Sequence, residues 1–90
     1  MGVLESYIEQ EVTKYAEASG FMQRKVTYQN RMGAPDRWFF GQDGQLIIIE
    51  FKRPGEKPKP HQEREIGRLR NRGFAVYVID NVADGKALFR

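Results

Sequence analysis

The 90-residue sequence contains no cysteine, which excludes disulfides and thiolate metal sites and points to an intracellular protein. Its single histidine, His61, has no partner cluster, so it is read as an exposed helix-start residue with no metal role. No apolar run approaches the roughly 20 residues needed to span a bilayer, and the N-terminus lacks a signal-peptide pattern. A soluble cytoplasmic protein with no membrane association is therefore expected. Internal repeats, low-complexity tracts and a linker long enough to separate two domains are also missing. Residues 1–90 are read as one domain, with a core too small to spare much stability.

What is there is an ordinary folding composition, 40% hydrophobic and 30% charged, unlike that of a disordered chain. The net charge is +3, and its distribution says more than its size. Arg53, Lys57, Lys59, Arg64, Arg68, Arg70 and Arg72 face only Glu56, Glu63 and Glu65 in the same stretch. Such a basic run suggests a polyanionic partner.

Leu4, Ile8, Val12 and Tyr15 recur at helical spacing, which predicts a helix over 4–19 stopped by Gly20. Residues 22–30 alternate weakly and suit a strand; Arg31 to Pro35 form a loop. Residues 36–41 and 45–52 read as a hairpin turning at Asp43-Gly44. The segment from Arg53 to Lys59 is irregular. Pro60 to Arg72 is a second helix with Gly73 as its cap, 74–79 a buried strand and 82–89 a final helix. The order αβββαβα gives an α/β fold, a mixed sheet flanked by helices.

An apolar strand, Leu46-Ile47-Ile48-Ile49, runs straight into Glu50, Phe51 and Lys52. Residues two apart on a strand share a face, so Glu50 and Lys52 point one way and Phe51 the other. Asp36 lies one strand back. If Asp36 shares that face, two carboxylates and a lysine converge at one end of the sheet. An oxygen-only cluster of this kind suits Mg²⁺ or Mn²⁺, hard ions that keep several waters and bind phosphates. Glu5 and Glu9, one turn apart on the first helix, repel by roughly 0.2–0.5 kcal/mol, a strain that a nearby cation removes. On the second helix Gln62 falls on the stripe of Ile66 and Leu69, and is read as turned into a wet catalytic pocket. Arg64, Arg68 and Arg72 form a ridge at four-residue steps, suited to phosphate contact.

Whether Asp36 and Glu50 meet depends on the hairpin turn. A two-residue turn at Asp43-Gly44 pairs Gln42 with Gln45 and sets Asp36 opposite Phe51, on the wrong face. A three-residue loop over 42–44 pairs Gly41 with Gln45 and sets Asp36 opposite Glu50. A slip of one residue exchanges the faces, so only one arrangement allows the site unless a bulge intervenes. The odd-length loop is expected, with Gly44 left-handed.

Gly33-Ala34-Pro35-Asp36 followed by Glu50-Phe51-Lys52 resembles the PD-(D/E)XK nuclease signature. Pro60-His61-Gln62-Glu63 opening a helix, and the strand "GFAVYVID" after it, resemble the small stand-alone VRR-NUC nucleases of phages, related to archaeal-type Holliday junction resolvases. The resemblance runs from Glu5 to Phe89. It implies a restriction-endonuclease-like fold and Mg²⁺- or Mn²⁺-dependent cleavage of DNA, structure-specific for branches or junctions, by a homodimer. It also implies roles. Asp36 and Glu50 match the metal-binding acids, Lys52 the catalytic lysine and Gln62 the helix-start glutamine, and the Phe51 carbonyl is a further metal ligand. Glu9 is the first choice and Glu5 the second for the helical acid. Arg37, Arg53, Arg64, Arg68 and Arg72 are the expected DNA contacts. A DNA-binding or structural subunit that keeps the fold without the chemistry is the alternative; an RNA module lacks its usual stacking motifs.

Overall fold

A computed structural model describes residues 2–90. The elements are α1 (Glu5–Ala18), β1 (Met22–Lys25), β2 (Arg37–Phe40), β3 (Leu46–Phe51), α2 (Pro60–Asn71), β4 (Ala75–Ile79) and α3 (Val82–Ala87). This is the expected αβββαβα order. The strands make one mixed sheet, β1-β2-β3-β4, antiparallel except for the β3–β4 pair. The parallel pair needs a crossover, and α2 supplies it. Among the described residues no helix is long and apolar enough to cross a membrane.

Period-two alternation divides the core. Phe39, Ile47, Ile49, Phe51 and Ile79 pack on Ile8, Val12 and Ala16 of α1 and on Phe89. Trp38, Leu46, Ile48, Val76 and Val78 pack on Ile66 and Leu69 of α2. β3 is covered on both sides, which is why it reads as an almost unbroken apolar run. Gly20 ends α1 in the left-handed region, with the N–H groups of Gly20 and Phe21 donating to Glu17 and Ala16 at 3.0 Å each. Gly73 closes α2 in the same double-bonded way.

Three boundaries differ from expectation. β1 stops at Lys25 rather than reaching residue 30, because the chain leaves the sheet to cross α2. Tyr28 there donates to Glu65 at 2.8 Å, and Gly33 lies so close to the His61 carbonyl that a Cβ would come within 3.2 Å of it. Leu4, expected in the first apolar stripe, precedes α1 and is exposed. α3 ends at Ala87, and Phe89 folds back to meet Phe21 and Phe39 edge-to-face at 4.9 and 5.0 Å.

The hairpin carries the expected odd loop. Arg37 pairs with Ile49 and Phe40 with Leu46, and the Gly41 N–H donates to Gln45 O at 2.8 Å. Asp43 (φ 56°, ψ 35°) and Gly44 (φ 80°) are both left-handed, as in a type I′ turn, and Gln45 N–H donates to Gln42 O at 3.1 Å. The sequence signal for a tight turn was therefore correct, and Gln42 is the extra residue that reconciles it with the register.

α3 reaches α1 only because residue 85 lacks a side chain. A Cβ on Gly85 would lie 2.4 Å from Val12 Cγ2 and 3.2 Å from Ile79 Cγ2. Gly85→Ala should lose about 1–3 kcal/mol by overpacking, although alanine is the better helix former by about 1 kcal/mol. A Cβ on Gly67 in α2 meets nothing within 4 Å, so Gly67→Ala should gain up to about 1 kcal/mol. Urea denaturation of both variants checks the contrast; a Gly85→Ala protein as stable as wild type would contradict this packing.

Candidate active site

The β2–β3 register, continued one step past Arg37 and Ile49, sets Asp36 beside Glu50 on the face covered by α2. Fully buried Pro35 fixes the approach. At this step the Asp36 side chain joins the two strand ends, its Oδ2 accepting the Phe51 N–H at 2.8 Å. The Phe51 ring points the other way and is fully buried in the core against α1, leaving only its backbone at the site.

Glu50 is 2% exposed and Lys52 7%. Glu50 Oε2 forms an ion pair with Lys52 Nζ at 3.5 Å and accepts from Gln62 Nε2 at 3.2 Å. Its Oε1 is buried and has no hydrogen-bond partner. Gln62 also caps α2, its Oε1 accepting the Lys59 N–H at 2.9 Å. That bond turns the amide NH₂ toward Glu50.

Burial, and then the neighbouring Asp36, push the Glu50 carboxyl up to about 7 despite the opposing Lys52 charge. Burial likewise raises Asp36, against the pull of the Phe51 N–H. Two carboxylates confined together resist full ionisation, and a cation between them removes that resistance.

The two helical acids fall in different surroundings. Glu9 is buried, and its Oε2 accepts from Arg37 Nε at 2.7 Å and Lys25 Nζ at 3.0 Å. Arg37 also donates to the Gln23 side chain. Arg37 follows Asp36, so alternation turns it to the opposite face, toward α1. It is engaged in an ion pair with Glu9, turned away from the acid pair. Glu5, on the first turn of α1, has its carboxyl raised by burial and then by Asp36, and it senses the Lys52 charge too. Glu5 in turn raises Glu50.

Arg53, Arg64, Arg68 and Arg72 are exposed. Arg68 pairs with Glu65 at 3.1 Å and Arg72 donates to Arg68 O at 2.9 Å, so the ridge runs from the site end of α2 toward residues 27–31. His61 is half-buried, its carbonyl packed under Gly33. Lys25, Tyr28 and Arg31 were not singled out by sequence reasoning. Only alternation from Arg24 could have signalled Lys25, and nothing local signals the other two.

Among the described residues no three Asp, Glu or His side chains stand close enough to enclose an ion. Mg²⁺ makes no such demand, since it typically uses one or two carboxylates and fills its shell with waters and substrate phosphates. Asp36 with Glu50, whose Oε1 has no donor, is an oxygen donor set of that kind. Lys52 adds a buried cation beside the pair.

No family model matches the chain. It is 37% identical over 79 residues to a protein named "Putative nuclease p44" from Acyrthosiphon pisum secondary endosymbiont phage 1, covering 88% of this chain and 85% of that one. Among solved structures it superposes on a VRR_NUC domain with a TM-score of 0.88 and 34% identity, over 93% of this chain and 91% of that chain. It also superposes on a VRR_NUC domain protein with a TM-score of 0.78, covering 98% and 86% of the two chains. Identity to the latter is 16%, so that likeness concerns the fold alone. With the shared strand order, the buried acid pair and these two relatives above 30% identity, the chain belongs to the VRR-NUC nuclease domain family.

Proposed function

We propose that the protein is a divalent-metal-dependent DNA endonuclease, structure-specific for branched DNA and active as a homodimer. The observation that carries the chemistry is the buried Glu50 carboxylate, its Oε1 without a donor, beside Asp36 and Lys52 on one face. Asp36 and Glu50 would hold Mg²⁺ or Mn²⁺, joined by the Phe51 carbonyl. When bound, such an ion polarises the phosphoryl oxygen and acidifies a bound water. Lys52 orients that water and offsets the negative charge that develops on the phosphate. Gln62 holds the Glu50 carboxylate in place through an amide whose other end is fixed by the α2 N-terminus. Direct attack by water is the simplest course, since no side chain here has the setting of a covalent nucleophile.

Glu5 is the better-supported third acid, because Glu9 is bound by Arg37 and Lys25 while Glu5 senses Asp36, Glu50 and Lys52. Arg53 and Arg64 are proposed to contact the DNA backbone on either side of the site. The branched substrate and the dimer follow from likeness to the resolvases, whose paired sites address two strands by two-fold symmetry. Sedimentation equilibrium should show a dimer at micromolar concentration; monomer alone, with and without DNA, would remove that part.

Asp36→Ala, Glu50→Ala and Lys52→Ala should each lower Mg²⁺-dependent cleavage of a labelled branched DNA by about a hundred- to a thousandfold or more, with folding retained. Glu5→Ala should follow them in activity with little change in stability. Glu9→Ala should instead lose about 1–3 kcal/mol of stability, because Arg37 is left unpaired. A Glu50→Ala protein that cuts at the wild-type rate would end the proposal. Wild-type protein that binds but never cuts would leave the DNA-binding subunit.

The raised Glu50 carboxyl also gives a pH signature. The folded state holds a proton on Glu50 up to about pH 7, whereas an unfolded glutamate, near 4.5, releases it much earlier. Stability from this group is full below about pH 4.5 and falls as pH rises toward 7. Glu50→Gln in EDTA should therefore be more stable than wild type at pH 8, by at most roughly 2–3 kcal/mol. The gain should fade at pH 4.5. Urea midpoints at the two pH values measure it, and a gain independent of pH would contradict the burial described here.

A further inference from the structure

Segment 26–35 leaves the sheet, crosses α2 and borders an open surface hollow of about 560 Å³. Its lining includes Tyr28, Arg31, Glu65, Arg68, Leu69 and Arg72. Three guanidinium groups face one carboxylate, and that carboxylate is fully engaged. Glu65 Oε2 accepts the Tyr28 hydroxyl at 2.8 Å, and Oε1 accepts from Arg68 at 3.1 Å. Burial opposes ionisation of Glu65, but these hydrogen bonds outweigh it and hold the carboxyl below its ordinary range. Burial and the Glu65 bond push the Tyr28 hydroxyl up to about 12, so it remains a donor at any working pH. The excess positive charge is thus borne by Arg31 and Arg72 at an exposed rim, above walls that include the aliphatic Leu69.

We propose that this hollow is a subsite for one unpaired nucleotide of the substrate, its base against the Leu69–Tyr28 wall and its phosphate on Arg31 and Arg72. The inference rests on the DNA-endonuclease reading and adds to it a physical source of preference for branched or frayed strands. A concave site with an apolar wall suits a nucleotide removed from the stack, whereas paired bases keep their faces covered by their neighbours. The size agrees, since pockets for small ligands span roughly 300–1,000 Å³. The placement agrees as well. Seven residues of α2 separate Gln62, at the acid pair, from Leu69, about 10 Å at 1.5 Å per residue. That is roughly three steps of a stacked strand, and fewer of an extended one. Segment 26–35 runs directly into Asp36, so one stretch of chain borders both places.

The test is binding in EDTA, where no cleavage occurs. Fluorescence anisotropy compares a blunt duplex with the same duplex carrying a single-stranded overhang. Wild type should favour the overhang by about tenfold, and Arg31→Ala/Arg72→Ala should bring that ratio to within about twofold of unity. Equal weakening on both duplexes, an unchanged ratio, or no wild-type preference would each overturn the subsite. Both arginines are exposed, and titrating a short single-stranded oligonucleotide into unaltered protein gives a second reading. Amide NMR shifts should concentrate at residues 28–31 and 65–72; shifts confined elsewhere would also overturn it. Failure of the nuclease reading looks different, since it is absence of Mg²⁺-dependent cleavage of any DNA, whatever the binding ratio.

Discussion

The hydrogen bond from the Phe51 N–H to Asp36 Oδ2, 2.8 Å long, lies where two continuous strands would next exchange backbone bonds. A side chain takes over from the ladder, and this ties one acid to the strand that carries the other. The bond forms only if Asp36 falls opposite the end of β3, and that follows from the hairpin register. Glu50, Lys52 and the amide of Gln62 then have fixed places, because β3 is packed on both faces and cannot yield. A buried carboxylate with a partnerless oxygen is expensive in free energy. The surrounding apolar core supplies the stability that tolerates it.

Adjacent residues Asp36 and Arg37 divide the labour of the molecule between two faces. Asp36 looks toward α2 and the buried Glu50, while Arg37 looks toward α1 and holds Glu9. That ion pair ties α1 to β2, which begins just after Asp36, and Glu5 sits one turn before Glu9 on the same helix. Removing Glu9 would thus disturb the placement of Asp36 and Glu5 through the packing of α1.

Much of this was legible in the residues. Glycines 20, 44 and 73 marked where elements end, since each takes a left-handed conformation there. The run from Leu46 to Lys52 betrayed both a buried strand and its polar terminus. Gln62 was recognisable because a lone amide on an apolar stripe needs a partner. What stayed hidden depends on distant contacts. Nothing near Tyr28 announces that Glu65, 37 positions later, will draw it out of the sheet. Alternation from Asp36 implied the direction of Arg37, but its pairing with Glu9 is decided only by tertiary packing. The end of α3 was missed for a similar reason, since Phe89 is recruited by Phe21 and Phe39.

Gln42 has a consequence for how such a chain tolerates changes in length. It is exposed, and its presence makes the loop odd while Asp43 and Gly44 already complete a tight turn. Deleting it would let Gly41 close directly on that turn and still pair with Gln45, leaving every side chain on its present face. Deleting Arg37 or Trp38 would instead move Phe39 opposite Ile48 and turn its ring away from the core on α1, even with Asp36 still opposite Glu50. Insertions and deletions in this hairpin are therefore not interchangeable, even though they lie only a few positions apart. The tip can shorten by one residue without harm, while the strand beside it must keep its count.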